Sequence, residues 1–561
     1  MTATTTVESR ADTPEVPTTR AVLVLFIGLL LAMFMFSLNQ TILATALPTI
    51  VGELNGVDRM LWVQTGFMLA STIMMTAYGR LGDQFGRKPL FIFAISVFMV
   101  GSVIGFFAPT MSWLIAGRVV QGIGGGGMMI LSQAIIASVV PARQRGKYMG
   151  IMGSAFAVSS VAGPLLGGWF TEGPGWRWAF LLAVPLGLLA IAATLVFFRE
   201  DDQMRFGGSR IDVAGLALIA VFTSSIVLVS AWGGTQYAWT SPTILGLAAA
   251  AIAAAVAFPF VENRVESPII PMSLFAERNF VVSSLAGVML AIGMFGTIAY
   301  MPTYLQMTHA LSPARAGLTM IPLMASMLVV GTLVGFIVSR TGRYRWYPIA
   351  GMAIMTVGLL LMSRLQVDSP VAQVMGSLAV MGIGLGLAMQ MLVLVVQNAF
   401  PVQMVGTATA ANNFFRQVGG TLGMSLVGTI FTNRLMANLT EGLGGFGGNG
   451  AMGSANRLTP QLVNELPEPV HSVVLQAYND ALVPLFAWIA PLTVIAFALV
   501  WFIREVPLAT TVGQSGHTAV QQDEERHDQQ HHDPLVAAAE PVGPLTAEPE
   551  SGPGDPDPLR T

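Results

Sequence analysis

Residues 79–89 read GRLGDQFGRKP, a compact basic loop set between two long apolar runs. Its glycines allow a sharp turn and close helix approach, and its acid can pair with arginine or cap the amides of the next helix. The pattern Gly79-x3-Asp83-x2-Gly86-Arg87 returns as Gly335-x3-Ser339-x2-Gly342-Arg343. A loop that merely keeps positive charge on one side of a membrane accounts for the arginines. It does not account for spaced glycines that occur twice.

The rest of the chain explains why such loops stand out. Of 561 residues, 53% are hydrophobic and 10% charged, against about a quarter charged in a soluble domain, and mean hydropathy is +0.67. Apolar runs recur near the ~20 residues needed to cross the hydrocarbon core. Fourteen can be placed, at 21–47, 61–80, 89–108, 112–139, 147–170, 177–198, 212–233, 242–261, 280–306, 315–339, 346–363, 371–399, 406–432 and 481–503. Runs of this length predict an all-α polytopic membrane protein, because a helix satisfies its own backbone in lipid whereas a barrel shows short alternating segments. With no cysteine, disulfides and thiol-ligated metals are excluded. The net charge of -3 says little about partners.

Arginine and lysine in the connections set the expected orientation. With the N-terminus inside, Arg80, Arg87, Lys88, Arg143, Arg145, Lys147, Arg340, Arg343, Arg345 and Arg504 share the cytoplasmic side, and both termini lie there. The expected organisation is an N-terminal tail over 1–20, a six-helix bundle over 21–198, and a linker over 199–278 carrying two additional spans. A second six-helix bundle follows over 279–503, with a Gly-rich outer loop at 438–479 and an amphipathic helix opening at Thr459 and Pro460. Residues 504–561 are rich in Pro, Gln, His and acids and read as a disordered cytoplasmic tail. His527, His531 and His532 there have the side chains to bind a metal, but a solvated tail explains the same composition and is the favoured reading. Parallel halves with a repeated cytoplasmic loop are a known construction of secondary transporters.

On these residues the chain resembles the major facilitator superfamily, and its fourteen spans resemble the fourteen-helix drug:proton antiporter branch. GRLGDQFGRKP is similar to the loop between helices 2 and 3 of that superfamily. LIAGRVVQGIGGGG at 114–127 resembles its fourth-helix motif and buries Arg118, which the resemblance links to proton transfer. The glycine run there is preceded by no strand and followed by no Lys-Ser/Thr, so close helix packing suits it better than phosphate binding. GSAFAVSSVAGPLLGG at 153–168 resembles the fifth-helix antiporter motif, with Gly163, Pro164, Gly167 and Gly168 giving a kinked, closely packed helix. WRWAFLLAVP at 176–185 looks like the start of helix 6 in the same group, with Ala183 where Asn is common, and its tryptophans also suit an interfacial belt. NNFFRQVGGTLG at 412–423 resembles helix 13 and buries Asn412, Asn413 and Arg416.

One departure bears on mechanism. The first helix reads SLNQTILATALPTI at 37–50, with Asn39 where relatives usually carry Asp, and no Asp or Glu lies in any of the fourteen helix cores. Asn cannot titrate. Coupling to protons either uses an acid near a helix end, with Asp83, Glu172 and Asp480 the candidates and Arg118 modulating it, or is weak or absent; Arg87 joins the gating loop beside Asp83. Candidate groups along a substrate path are Asn39, Gln40, Gln64, Tyr300, Tyr304, Gln390, Gln397, Asn412, Asn413 and Arg416. The resemblance implies export of amphipathic drugs or antibiotics across the bacterial plasma membrane by proton antiport, with neutral or singly charged compounds favoured. Export of an endogenous metabolite, lipid or siderophore is an alternative, and a non-transporting sensor rests only on the long tail. The expected partners are a small amphipathic organic substrate, protons and the lipid bilayer, with the protein a monomer and no nucleic acid bound. With no nucleotide-binding Gly-Lys-Ser/Thr motif and no cysteine, neither an enzyme nor an ATP-driven pump is expected, and no cofactor or metal is implied.

Overall fold

The structure is a computed structural model that describes residues 19–56, 59–198, 211–234, 236–443, 463, 467 and 470–510. Its helices are α1 (Thr19–Leu54), α2 (Met60–Phe85), α3 (Arg87–Phe106), α4 (Met111–Val139), α5 (Ala142–Glu172), α6 (Arg177–Leu181), α7 (Ala183–Phe197), α8 (Val213–Trp232) and α9 (Pro242–Glu262). They continue as α10 (Arg278–Thr308), α11 (Pro313–Leu318), α12 (Ile321–Thr341), α13 (Trp346–Met362), α14 (Val371–Ala399), α15 (Val405–Leu443) and α16 (Val470–Val500). Among the described residues, twelve spans are long and apolar enough to cross a membrane, with α6–α7 and α11–α12 each making one. The remaining two expected crossings fall on α13, a shorter apolar helix, and α15, whose polar stripe lowers its hydropathy.

Two layers of packing explain the arrangement. The first bundle is built from α1 on α5 and α7 and from α4 wedged between α2 and α3; the second from α14 between α12 and α13 and from α10 on α15 and α16. Gly101, Gly117, Gly122 and Gly124 let α4 approach the backbones of α2 and α3, as the sequence reading required. The helices α8 and α9 pair with each other outside both bundles, and α8 packs on α2 and α15. Val213, Val221, Leu245, Ile252, Val256 and Phe260 are exposed along them, a surface suited to lipid.

The structure corrects three boundaries. Helix α15 runs to Leu443 and α16 starts at Val470, so both ends of the expected 438–479 loop are helical. An apolar face extends each helix past the bilayer length: Leu439 and Val474 are buried, and Gly442 packs on Val473. The amphipathic helix expected at Thr459 lies outside the described residues. Asp480 consequently sits inside α16 rather than before it, exposed and accepting from Gln476 Nε2 at 3.0 Å.

The third correction concerns the tail. Residues 504–509 belong to the fold, because the backbone there is engaged by two buried side chains and a helix-start amide. Arg504 N donates to Asn279 Oδ1 at 2.9 Å, Val506 N to Tyr344 Oη at 2.8 Å, and Ala509 O accepts from Arg143 N at 3.1 Å. Leu508 and Ala509 are buried. The strap therefore ties the starts of α10 and α13 to the start of α5. The histidine cluster lies outside the described residues.

Candidate functional site

The two loop motifs sit where the bundles meet on the face carrying the basic connections. Gly86 and Gly342 both have positive φ, 99° and 74°, which only glycine adopts freely, so each copy reverses the chain at its second glycine. At the first crossing, α2 meets α15: a Cβ on Gly79 would lie 2.8 Å from Gly406 O. At the second, α5 meets α12: a Cβ on Gly150 would lie 2.7 Å from Gly331 O, and Gly146 stacks on Gly335. A second internal repeat serves these crossings. PARQRG at 141–146 and PVQMVG at 401–406 each place a glycine five residues after a proline, one facing each loop motif. Sequence reading missed it because the signal shared in register is only Pro and Gly.

The electrostatics of the two crossings are mirror images. Asp83 is wholly buried at the N-terminus of α15 and accepts from Thr407 N at 2.7 Å, Thr407 Oγ1 at 2.8 Å and Gly406 N at 3.2 Å. It therefore caps α15 across the interface, not the following helix α3 as the sequence suggested, because Gly86 turns α3 away. Arg87 Nη2 closes the ion pair at 2.8 Å and also donates to Val402 O at 2.5 Å, while its Nη1 reaches Ala134 O at 3.0 Å. At the other crossing Ser339 replaces the acid, and a cation supplies the contact instead. Arg143 donates to the carbonyls of Ser339 and Arg340 at 3.3 and 2.9 Å, at the negative end of α12. Arg145, which sequence reading left unassigned, caps α4 through Ala137 O and Val140 O and reaches toward Gln397 O at 3.5 Å. On this face the bundles are closed.

Deeper in the first bundle, Arg118 is completely buried and all its nitrogens are engaged. Nη1 donates to Asn39 Oδ1 at 2.6 Å and Gln121 Oε1 at 2.9 Å, Nη2 to Gln40 Oε1 at 2.9 Å and Gln64 Oε1 at 3.1 Å, and Nε to Val63 O at 3.2 Å. The guanidinium also lies 4.1 Å from the centre of the Phe67 ring. All of these partners are neutral, so α1, α2 and α4 hold a positive charge with no carboxylate among its hydrogen-bond acceptors. Four predicted residues, Asn39, Gln40, Gln64 and Arg118, thus form one cluster; Gln121, held by Ser102 at 2.7 Å, completes it and was missed.

A second cluster joins the halves. Arg416 donates to Asn413 Oδ1, Asn413 Nδ2 donates to Gln133 Oε1 of α4 at 3.2 Å, and Asn412 Nδ2 donates to Ser284 Oγ of α10 at 3.1 Å. Fifteen residues separate Gln133 from Arg118 on α4, about 22 Å along the axis, so the two arginines sit at different depths. The other candidates disperse. Tyr304 is buried and donates to Asn479 at 2.8 Å, tying α10 to α16, and Tyr300 donates to Met424 O at 3.1 Å. Gln390 lies against Gly153 of α5, and Gln397 is buried at the gate beside Thr409. Gly163 and Gly167 press α5 onto Thr41 and Thr45 of α1, whereas nothing lies within 4 Å of a Cβ on Gly168. Glu172 is exposed at the far end of α5, and Asp480 shares a pocket with Arg364 and Asp368. Neither joins Asp83. The tryptophan motif serves packing there too: Trp176 Nε1 donates to Glu53 at 2.6 Å and Arg177 pairs with the same acid at 2.5 Å.

These features define a polytopic helical membrane protein of two bundles with a closed gate on one face. The sequence matches the Major Facilitator Superfamily profile over residues 29–424, and the chain belongs to that family of transporters. It is 37% identical over 487 residues to an uncharacterised MFS-type transporter of Mycobacterium tuberculosis, covering 86% of this chain and 70% of that one. It is 36% identical over 421 residues to the multidrug transporter protein MdtP of Bacillus subtilis, covering 75% and 77%. Multidrug resistance protein 3 of the same organism is 30% identical over 493 residues, covering 86% and 96%. Among solved structures, the human organic anion transporter MFSD10 aligns with a TM-score of 0.58 at 15% identity, covering 86% and 99%. The proton:xylose symporter XylE aligns with a TM-score of 0.56 at 14% identity, covering 89% and 99%, and both show the shared fold. The chain is a multi-pass membrane transporter, not an enzyme.

Proposed function

We propose that this protein exports neutral or singly charged amphipathic compounds, drugs or antibiotics among them, across the bacterial plasma membrane by proton antiport and alternating access. The observation that carries the reading is the closed gate: two glycine crossings related by the internal repeat, one sealed by buried Asp83 on the amides of α15. A seal that rests on one buried ion pair and two helix ends has a discrete broken state, which alternating access needs. The relatives named as a multidrug transporter and a multidrug resistance protein support the direction and substrate class. With the basic connections cytoplasmic, both described ends lie inside and the gate is the inner one.

The cluster around Arg118 supports the charge preference. A guanidinium held only by neutral groups beside the path disfavours dications and tolerates neutral or weakly acidic compounds. Protons are the coupling ion in this reading, and the protein works as a monomer. The test is a susceptibility panel in an efflux-deficient host, with and without a protonophore. Resistance that needs an intact gradient supports the proposal, and resistance that persists unchanged after its collapse overturns the coupling.

A further inference from the structure

The two additional helices carry a buried acid pair that the gate and the Arg118 cluster leave unused. Asp212 caps the start of α8 and Glu262 is the last residue of α9; they are 4% and 2% exposed. Asp212 Oδ1 accepts from Gly215 N at 2.7 Å, and Glu262 Oε1 accepts from Ile270 N at 3.5 Å. Their other oxygens, Asp212 Oδ2 and Glu262 Oε2, have no hydrogen-bond partner among the described residues. The carboxyls converge over Gly215, where a Cβ would lie 2.6 Å from Glu262 Oε1 and would strike Asp212 Oδ2 as well. Arg80 of the loop motif is buried nearby and interacts electrostatically with Glu262 on one side and Asp83 on the other. Beyond them α14 and α15 present apolar groups, Val396, Ala408 and Ala411.

Two ionised carboxylates cannot share such a place cheaply. A buried oxygen without a donor is costly, and like charges brought together over one glycine disfavour double ionisation. One proton shared between the two carboxyls removes the repulsion and gives the pair an O–H···O bond of its own. The pair then carries a single negative charge, which Arg80 balances. A metal cation fits less well, since Arg80 repels it and only two carboxyls are at hand.

We propose that Asp212 and Glu262 form a proton-binding site, built on the two additional helices, that holds one shared proton while the basic face is closed. This supplies the carboxyl that the transport helices lack at Asn39. Because α8 packs on α2 and α15 at once, the helix that carries Asp212 bears on both sides of the gate. Loss of the proton leaves two negative charges beside Arg80, draws it from Asp83 and weakens the α2–α15 seal. That last step rests on proton-driven alternating access.

Two measurements on the full chain in lipid test the proposal without reading transport. Infrared difference spectra across mildly acidic to mildly alkaline pH should show a carboxylic-acid C=O band in the wild type that is lost in Glu262→Gln and in Asp212→Asn. Spin labels on Gln144→Cys and Arg340→Cys, in a chain with no native cysteine, report the gate distance. That distance should shift with pH in the wild type and stay fixed in Glu262→Gln. An identical band in all three proteins overturns the site, as does a band that sodium removes, and a pH shift that survives Glu262→Gln overturns its control of the gate. Failure of drug export would leave both readouts standing, so the two proposals fail separately.

Discussion

Replacing Asp83 with Asn keeps the shape of the gate residue but removes its charge. In the closed state the carboxylate accepts from Arg87, Gly406 N, Thr407 N and Thr407 Oγ1. An amide can accept some of these bonds, but Arg87 then stays buried at Val402 O and Ala134 O without its counter-charge. Breaking a buried pair from one side costs about 3–5 kcal/mol. Part of that is lost to relaxation of the exposed state, and about 3 kcal/mol against the closed gate is a factor of about a hundred in population. Thr409, buried one turn beyond Gly406, provides the probe. In Thr409→Cys the lone thiol should react with a maleimide only when the basic face opens. Adding Asp83→Asn should raise the labelling rate by about two orders of magnitude if opening is in rapid equilibrium. An unchanged rate would refute the account of the seal.

Other substitutions separate packing from charge. Arg118→Lys cannot reach five acceptors, so Asn39, Gln40, Gln64 and Gln121 lose partners; thermal unfolding should fall by several degrees and accumulation assays should show export abolished. Gly163→Ala should destabilise the α1–α5 contact, because its Cβ meets Thr41, while Gly168→Ala, with open space, should match the wild type in the same melt. Truncation after Arg504 should lower stability and loosen the gate labels by deleting the Val506 and Ala509 contacts. Truncation after Thr510 should leave the melt unchanged and keep ethidium extrusion, which removes the sensor alternative.

The architecture was legible because its cues are physical and long-range in sequence: apolar runs of bilayer length, arginines biased to one side, and a glycine loop written twice. The Arg118 cluster was legible in part, since polar residues in apolar helices must find each other in lipid, and Asn39, Gln40 and Gln64 did. The partner of Asp83 was not. Its amides come from α15, more than three hundred residues away, and nothing local in the sequence points there. Tyr304 and Gln397 read as path residues because a polar group in a span looks the same whether it lines a cavity or ties two helices. Asp212 and Glu262 were visible as acids near helix ends, but their convergence depends on how α8 and α9 pair. The strap over 504–509 was hidden by the composition of the residues that follow it.

Transport by purified protein in liposomes, with an imposed pH gradient and no other energy source, tests the central claim most directly. A singly charged amphipathic dye such as ethidium should move against its own gradient in proportion to the pH difference, with protons moving the opposite way. Dye movement that is independent of the pH gradient, or that occurs with no proton flux, would contradict proton antiport.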